Sequence, residues 1–131
     1  MTNRIGGLTG KLLVAEHDAM CRKLLKAFLS RLGTLEIEFA ENGREAVEMA
    51  RTAAYDLIFM NVAMPEVDGL EATQTIRSTE ERRVPIVALT AAVMEGAQQT
   101  CLRAGMDDFL GKPLSREDLR TTLERWLPQC A

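Results

Sequence analysis

The residues of this chain whose types could do chemistry together are Glu16, His17 and Asp18 in one run, then Asn61, Thr90 followed by Ala91, and Lys112 before Pro113. Carboxylate and imidazole groups bind metals or carry protons, a hydroxyl and a backbone amide hold an oxyanion, and a lysine neutralises one. That inventory suits a site for a phosphoryl group. Its centre does not: Asn61 ends the apolar run in DLIFMNVAMPEVDG (56–69), where a phosphoryl acceptor would be a carboxylate. An amide is the nearest isostere that cannot form an acyl phosphate. Taken singly, each residue has an ordinary reading. Glu16-His17-Asp18 reads as a solvated turn, Asn61 as a turn former, Thr90 as a strand residue, Lys112 as a surface charge and Phe109 as core.

Joint chemistry requires elements that bring these positions together. Short apolar runs at Lys11–Ala15, Leu35–Ala40, Leu57–Met60, Pro85–Leu89 and Asp108–Gly111 read as five strands, separated by longer helical patterns. KLLVA, LIFM and PIVAL are apolar throughout, as in parallel strands covered on both faces, whereas LEIEFA alternates as an edge strand does. Leu24, Leu25, Phe28, Leu29 and Leu32 form a helical stripe that stops at Gly33, and Leu119, Leu123, Trp126 and Leu127 form another before Pro128. Both stripes read as core. Ser115 with Glu117 and Asp118 makes a capped, acidic helix start, and Gly105 suits a helix end. The alternation predicts an α/β fold, a doubly wound parallel sheet with helices on both faces, and such sheets gather their sites at the carboxyl ends of the strands. Glu16, His17, Asn61, Thr90, Ala91 and Lys112 all follow or end strands and converge on one rim.

The segments LLVAEHDAMCRKLL, AENGREAV, YDLIFMNVAMPEVDGLEATQTIR, PIVALTA and AGMDDFLGKPL, in this order, resemble the receiver domain of two-component response regulators, most closely receivers attached to hybrid histidine kinases. The resemblance covers about Lys11 to Leu127 and implies a flavodoxin-like fold with strand order 2-1-3-4-5. It also implies roles. In such receivers an aspartate ending the third strand takes a phosphoryl group from a phosphohistidine, and an acidic pair after the first strand helps hold Mg²⁺. A threonine or serine ending the fourth strand and a lysine ending the fifth bind the phosphate, while an aromatic in the fifth strand moves with the threonine. Thr90, Lys112 and Phe109 match this pattern, with Ala91 following the threonine. The acceptor position holds Asn61 and the acidic pair reads Glu16-His17.

Those departures set the functional expectation. Mg²⁺ wants hard oxygen ligands in octahedral geometry, whereas His17 offers nitrogen, Asn61 a neutral carbonyl, and only Glu16 and the Ala63 backbone oxygen remain. Each carboxylate removed from ~5 Å of a divalent ion forfeits on the order of 6 kcal/mol of gross attraction at an effective dielectric of ~20. A residual quarter of that weakens binding about tenfold. No cofactor is expected, and Mg²⁺ only if the site works. A His17 held protonated between Glu16 and Asp18 would supply the missing positive charge. Among other acids, Asp56 stands at the wrong end of its strand, Asp68 lies too far along the loop, and Asp107 and Asp108 precede the fifth strand, which leaves Asp18 a weak substitute acceptor. The expected function is a pseudo-receiver, a protein-interaction module independent of phosphorylation and not an enzyme. The alternatives are an active Asp-phosphorylated receiver carrying Asn at position 61, and a sensor holding a nucleotide or anion between Lys112, Thr90 and the Ala91 amide. The resemblance implies a histidine kinase, a histidine phosphotransfer domain or an output domain as partner. Contact surfaces would lie at Met20, Cys21 and Leu24 with Pro113-Leu114, and around Met94, Ala97, Cys101 and Arg116.

With 131 residues, 47% of them hydrophobic, the chain can bury one core, giving a flexible segment over 1–10 and one receiver domain over 11–128. A net charge of −3 gives no footprint for nucleic acid or an anionic membrane. The three cysteines, Cys21, Cys101 and Cys130, lack disulfide or zinc spacing and fit a reducing, cytoplasmic setting.

Overall fold

The computed structural model describes residues 8–64, 67–90, 97–111 and 114–127. Five strands, β1 (Leu8–Ala15), β2 (Gly33–Ala40), β3 (Leu57–Asn61), β4 (Ile86–Thr90) and β5 (Asp108–Gly111), alternate with five helices. The helices are α1 (Ala19–Ser30), α2 (Gly43–Thr52), α3 (Gly69–Thr79), α4 (Ala97–Ala104) and α5 (Arg116–Trp126). All pairings are parallel and the strand order is β2-β1-β3-β4-β5, so LEIEFA does form an edge.

Burial explains why the strands read as they do. Every residue of β3 and β4 is buried, because helices cover both faces. On one face Leu12, Val14, Leu57, Phe59, Val87 and Leu89 pack against Leu25 and Leu29 of α1 and Leu119 and Leu123 of α5. On the other, Leu13, Ile58, Met60, Ile86 and Ala88 pack against Ala46 of α2, Ala72 and Ile76 of α3 and Cys101 of α4. Side chains alternate across the strands with period two, so one sheet feeds two separate apolar layers.

Caps fix where the helices start. Asp18, Asn42, Asp68 and Ser115 each accept a backbone N–H of the first turn. At α2 the cap is reciprocal: Asn42 accepts from the Glu45 amide at 2.8 Å, and Glu45 reaches back to the Glu41 amide at 2.8 Å. Gly105 ends α4 with φ +110, as its position suggested.

Two expectations need correcting. Leu8–Gly10, assigned to a flexible segment, are the first residues of β1, paired with Gly33–Leu35. Gly33 opens β2 and does not cap α1, which ends at Ser30. A Cβ at Gly33 would lie 1.9 Å from the Leu8 carbonyl oxygen, so the close approach of β1 and β2 selects glycine there. Residues 1–7 lie outside the described residues.

Candidate functional site

The register aligns the carboxyl ends of the strands: Ala15 pairs with Ala40 and Met60, Asn61 with Leu89, and Thr90 with Gly111. The residue after Ala15 is therefore beside Asn61. Glu16 is wholly buried, continues the sheet through its amide to the Ala40 carbonyl (2.9 Å), and turns its carboxylate towards β3. Its Oε2 accepts from Asn61 Nδ2 at 2.9 Å and from the Asp18 amide at 3.0 Å. Asn61 is 4% exposed. This carboxylate–carboxamide pair, shielded from water, is the centre of the rim.

His17 Nδ1 lies 3.7 Å from the same Oε2, but its side chain is 47% exposed, so water screens whatever charge it carries. Asp18 caps α1, its Oδ1 accepting from the Met20 amide at 2.9 Å. Arg22 Nη1 donates to the Glu16 carbonyl at 2.8 Å and pins the turn from above. The sequence reading missed Arg22; its only signal was a basic residue one helical turn after the cap. On the β3 side, the Gly69 amide donates to the Val62 carbonyl at 2.8 Å. A Cβ at Gly69 would come within 2.2 Å of the Asn61 carbonyl oxygen, so glycine lets α3 start against the end of β3.

Thr90 is buried at the end of β4, and Phe109 is half-buried in β5, packed with the layer that holds Met60 and Ala88. Ala63 is exposed two residues beyond Asn61. Ala91, Lys112, Pro113 and Met94 lie outside the described residues. The other acids are all occupied elsewhere. Asp56 accepts from the Lys11 amide (2.9 Å) at the opposite end of the sheet, and Asp68 accepts from the Glu71 amide (2.9 Å). Asp107 binds Arg77 and Arg83 at 2.7 Å each, and Asp108 binds Arg125 and Trp126 Nε1 at 2.8 Å each. Cys101, expected on a contact surface, is buried at 3% exposure, where burial pushes its thiol pKa up. On that helix Leu102 is the exposed apolar residue, at 49%.

A family model for the response regulator receiver domain matches residues 12–124. The chain belongs to the response regulator receiver domain family. It is similar to hybrid signal transduction histidine kinase G of Dictyostelium discoideum, 42% identical over 121 residues, covering 90% of this chain and 4% of that protein. The osmosensing histidine protein kinase SLN1 of Saccharomyces cerevisiae is 39% identical, over 86% of this chain and 10% of its own length. Receivers of hybrid histidine kinases are thus its relatives, and the chain spans only a small part of them. Among solved structures, the receiver domain of sensor histidine kinase PA1611 from Pseudomonas aeruginosa PAO1, with magnesium coordinated in its active-site cleft, is 38% identical with TM-score 0.83, over 91% of this chain and 98% of that one. The receiver domain of the yeast response regulator Ssk1, in its complex with the histidine phosphotransfer protein Ypd1, is 31% identical with TM-score 0.81, over 88% and 87%.

The donor set of this receiver does not fit magnesium. Position 61 presents an N–H donor to Glu16 where a cation would want another oxygen, and Oε2 already accepts two N–H groups. Among the described residues no three His, Cys, Asp or Glu side chains converge as a metal cage.

Proposed function

We propose that this receiver domain, a module of two-component phosphorelay signalling, works as a pseudo-receiver: a protein-interaction unit whose state is set without phosphorylation. The observation that carries this reading is the 2.9 Å hydrogen bond from Asn61 Nδ2 to the buried Glu16 carboxylate. A neutral amide nitrogen engaged in that bond is neither a nucleophile for phosphorus nor a hard metal ligand. A phosphoryl group, the charge that would favour one conformation over another, cannot be added at Asn61, and the population of states stays fixed.

Its partner is a protein, namely a histidine phosphotransfer domain, a histidine kinase or an output domain. The likeness to a receiver solved with a phosphotransfer protein supports this reading. So does α1, which leaves Met20 74% and Leu24 47% exposed beside Arg22, Lys23 and Lys26, with no acidic residue along the helix. Leu24, which the sequence placed both in the helical stripe and on a contact surface, belongs to this face. An apolar strip rimmed by cations fits a helical partner with an apolar groove and acidic edges. Among the described residues no helix is long and apolar enough to cross a membrane. We place the domain in the cytoplasm on its cysteine usage.

The test is intact mass after incubation with acetyl phosphate and Mg²⁺. No phosphoryl adduct is expected; an adduct released by hydroxylamine overturns the reading. The buried Thr90 retained at the end of β4 favours one other reading, an active site disabled at position 61. The Asn61→Asp/His17→Asp variant tests it: labelling of that variant shows a site otherwise competent, and silence shows that the geometry has diverged as well.

A further inference from the structure

The sequence pointed to His17 as the charge replacing the cation. The geometry points elsewhere: we infer that the Asn61 carboxamide does the structural work of the missing metal, joining the ends of β1 and β3 so that the rim keeps its shape without any ion. The inference rests on the pseudo-receiver reading and deepens it.

Glu16 is a fully buried carboxylate, and a buried charge persists only when hydrogen bonds or a counter-charge compensate its lost hydration. Two N–H groups of the chain converge on its Oε2, the Asp18 amide at 3.0 Å and Asn61 Nδ2 at 2.9 Å. The first is local and orders the turn after β1 within itself. The second crosses from β1 to β3, one step beyond Ala15↔Met60, the last paired position of the β1–β3 ladder. It acts as a side-chain rung closing the sheet where backbone pairing stops. His17 is the weaker partner, at 3.7 Å and 47% exposed. The Asn61 amide therefore contributes part of what a bound cation would: a positive dipole end placed between the carboxylate that follows β1 and the end of β3.

Reversing the substitution separates this role from passive filling of space. In Asn61→Asp a carboxylate oxygen replaces the donor 2.9 Å from Glu16 Oε2, with neither group reaching water. The two carboxylates repel, and the fold comes to need a cation. Exchanging the pair as Glu16→Gln/Asn61→Asp restores one amide and one carboxylate with the bond reversed.

The experiment is thermal unfolding of the native chain, Asn61→Asp and the exchanged pair, each in EDTA and in millimolar Mg²⁺. The native midpoint is expected to be the same in both media. Asn61→Asp should unfold about 10 °C lower in EDTA and recover most of that with Mg²⁺. The exchanged pair should recover at least half of it in EDTA. A native midpoint that rises with Mg²⁺, an Asn61→Asp protein as stable as the native one in EDTA, or an exchanged pair no better than Asn61→Asp overturns the inference. If Asn61→Asp does not fold, the native magnesium response and the exchanged pair still decide. The acetyl phosphate assay reports on the pseudo-receiver reading independently, since a chain can resist phosphorylation whether or not Asn61 braces the rim.

Discussion

Arg77 offers the sharpest test of how this fold holds its fourth and fifth strands. From the last turn of α3 its guanidinium donates to the Gly105 carbonyl (2.8 Å), the Val84 carbonyl (2.7 Å), both Glu80 oxygens (3.0 and 2.9 Å) and Asp107 Oδ2 (2.7 Å). The side chains of Arg77, Glu80 and Asp107 are 13%, 15% and 12% exposed, so water replaces little of this. Arg77→Met removes every donor while keeping the aliphatic stem. Breaking a buried pair outright costs about 3–5 kcal/mol. Here Asp107 keeps Arg83 (2.7 Å) and the Ile86 amide (2.9 Å), and Glu80 keeps the Val84 amide (3.2 Å). The expected loss is therefore at the lower end, about 3 kcal/mol, or roughly 10 °C in Tm for a domain of this size. Urea unfolding followed by circular dichroism measures it, with an unchanged m value showing that the denatured state is unaltered. Arg77→Lys should recover less than half, because an ammonium cannot serve both carbonyls and two carboxylates from one plane. In the double variant with Asp107→Asn the two losses should not add. A loss below about 1 kcal/mol for Arg77→Met would refute the argument, because it would equate this network with an exposed surface ion pair.

Thr73 Oγ1 is buried in α3 and finds no hydrogen-bond partner among the described residues, so Thr73→Val should stabilise the domain by about 1 kcal/mol, read in the same urea titration. Gly105→Ala forces a side chain into φ +110 and brings a Cβ to 2.9 Å from Arg77 Cγ, and should cost about 1–2 kcal/mol. Burial and the Glu38 carboxylate, 2.6 Å from its hydroxyl, raise the pKa of Tyr55 above its ordinary value. The unfolded phenol ionises first, so stability is retained up to pH ~10 and falls as pH rises beyond it. Absorbance titration of this sole tyrosine, with unfolding midpoints on either side of that pH, checks both the direction and the sign. The buried Cys101 thiol should react with a disulfide reagent only on unfolding, whereas the partly exposed Cys21 reacts in the native state, as peptide mapping of the labelled chain would show.

The centre of the sheet was legible because β3, β4 and the second half of β1 are buried on both faces, which writes them as unbroken apolar runs. The cap of α5 was legible because Ser115 acts within three residues of its own position, whereas Asp18, Asn42 and Asp68, which cap over equally short spans, looked like turn residues. What escaped depended on distant partners. LTG looked like linker, and it becomes strand partly because Asp56, far along the chain, accepts the Lys11 amide beside Gly10. Periodicity put Leu24 and Leu25 in one stripe, although only Leu25 reaches the sheet. At the site, the residue types of Glu16, His17 and Asn61 were enough to foresee a poor metal ligand set. Which nitrogen meets the Glu16 carboxylate was not, since that depends on the 2.9 Å approach of two strand ends. Arg77 escaped altogether, because its partners lie on two other segments, one before β4 and one before β5.

Leu8 at the start of β1 and Leu127 after α5 belong to one apolar layer, and a Cβ at Gly10 would stand 3.2 Å from Leu127 Cδ2. Strand starts and the tail of α5 share the pole of the molecule opposite Glu16 and Asn61. A polypeptide entering at Leu8 and leaving after Leu127 would do so side by side, like the two ends of a pendant's cord. Strung into a longer protein in this way, the domain would hang with its rim and the start of α1 turned outwards, open to a visitor and clear of its own tethers.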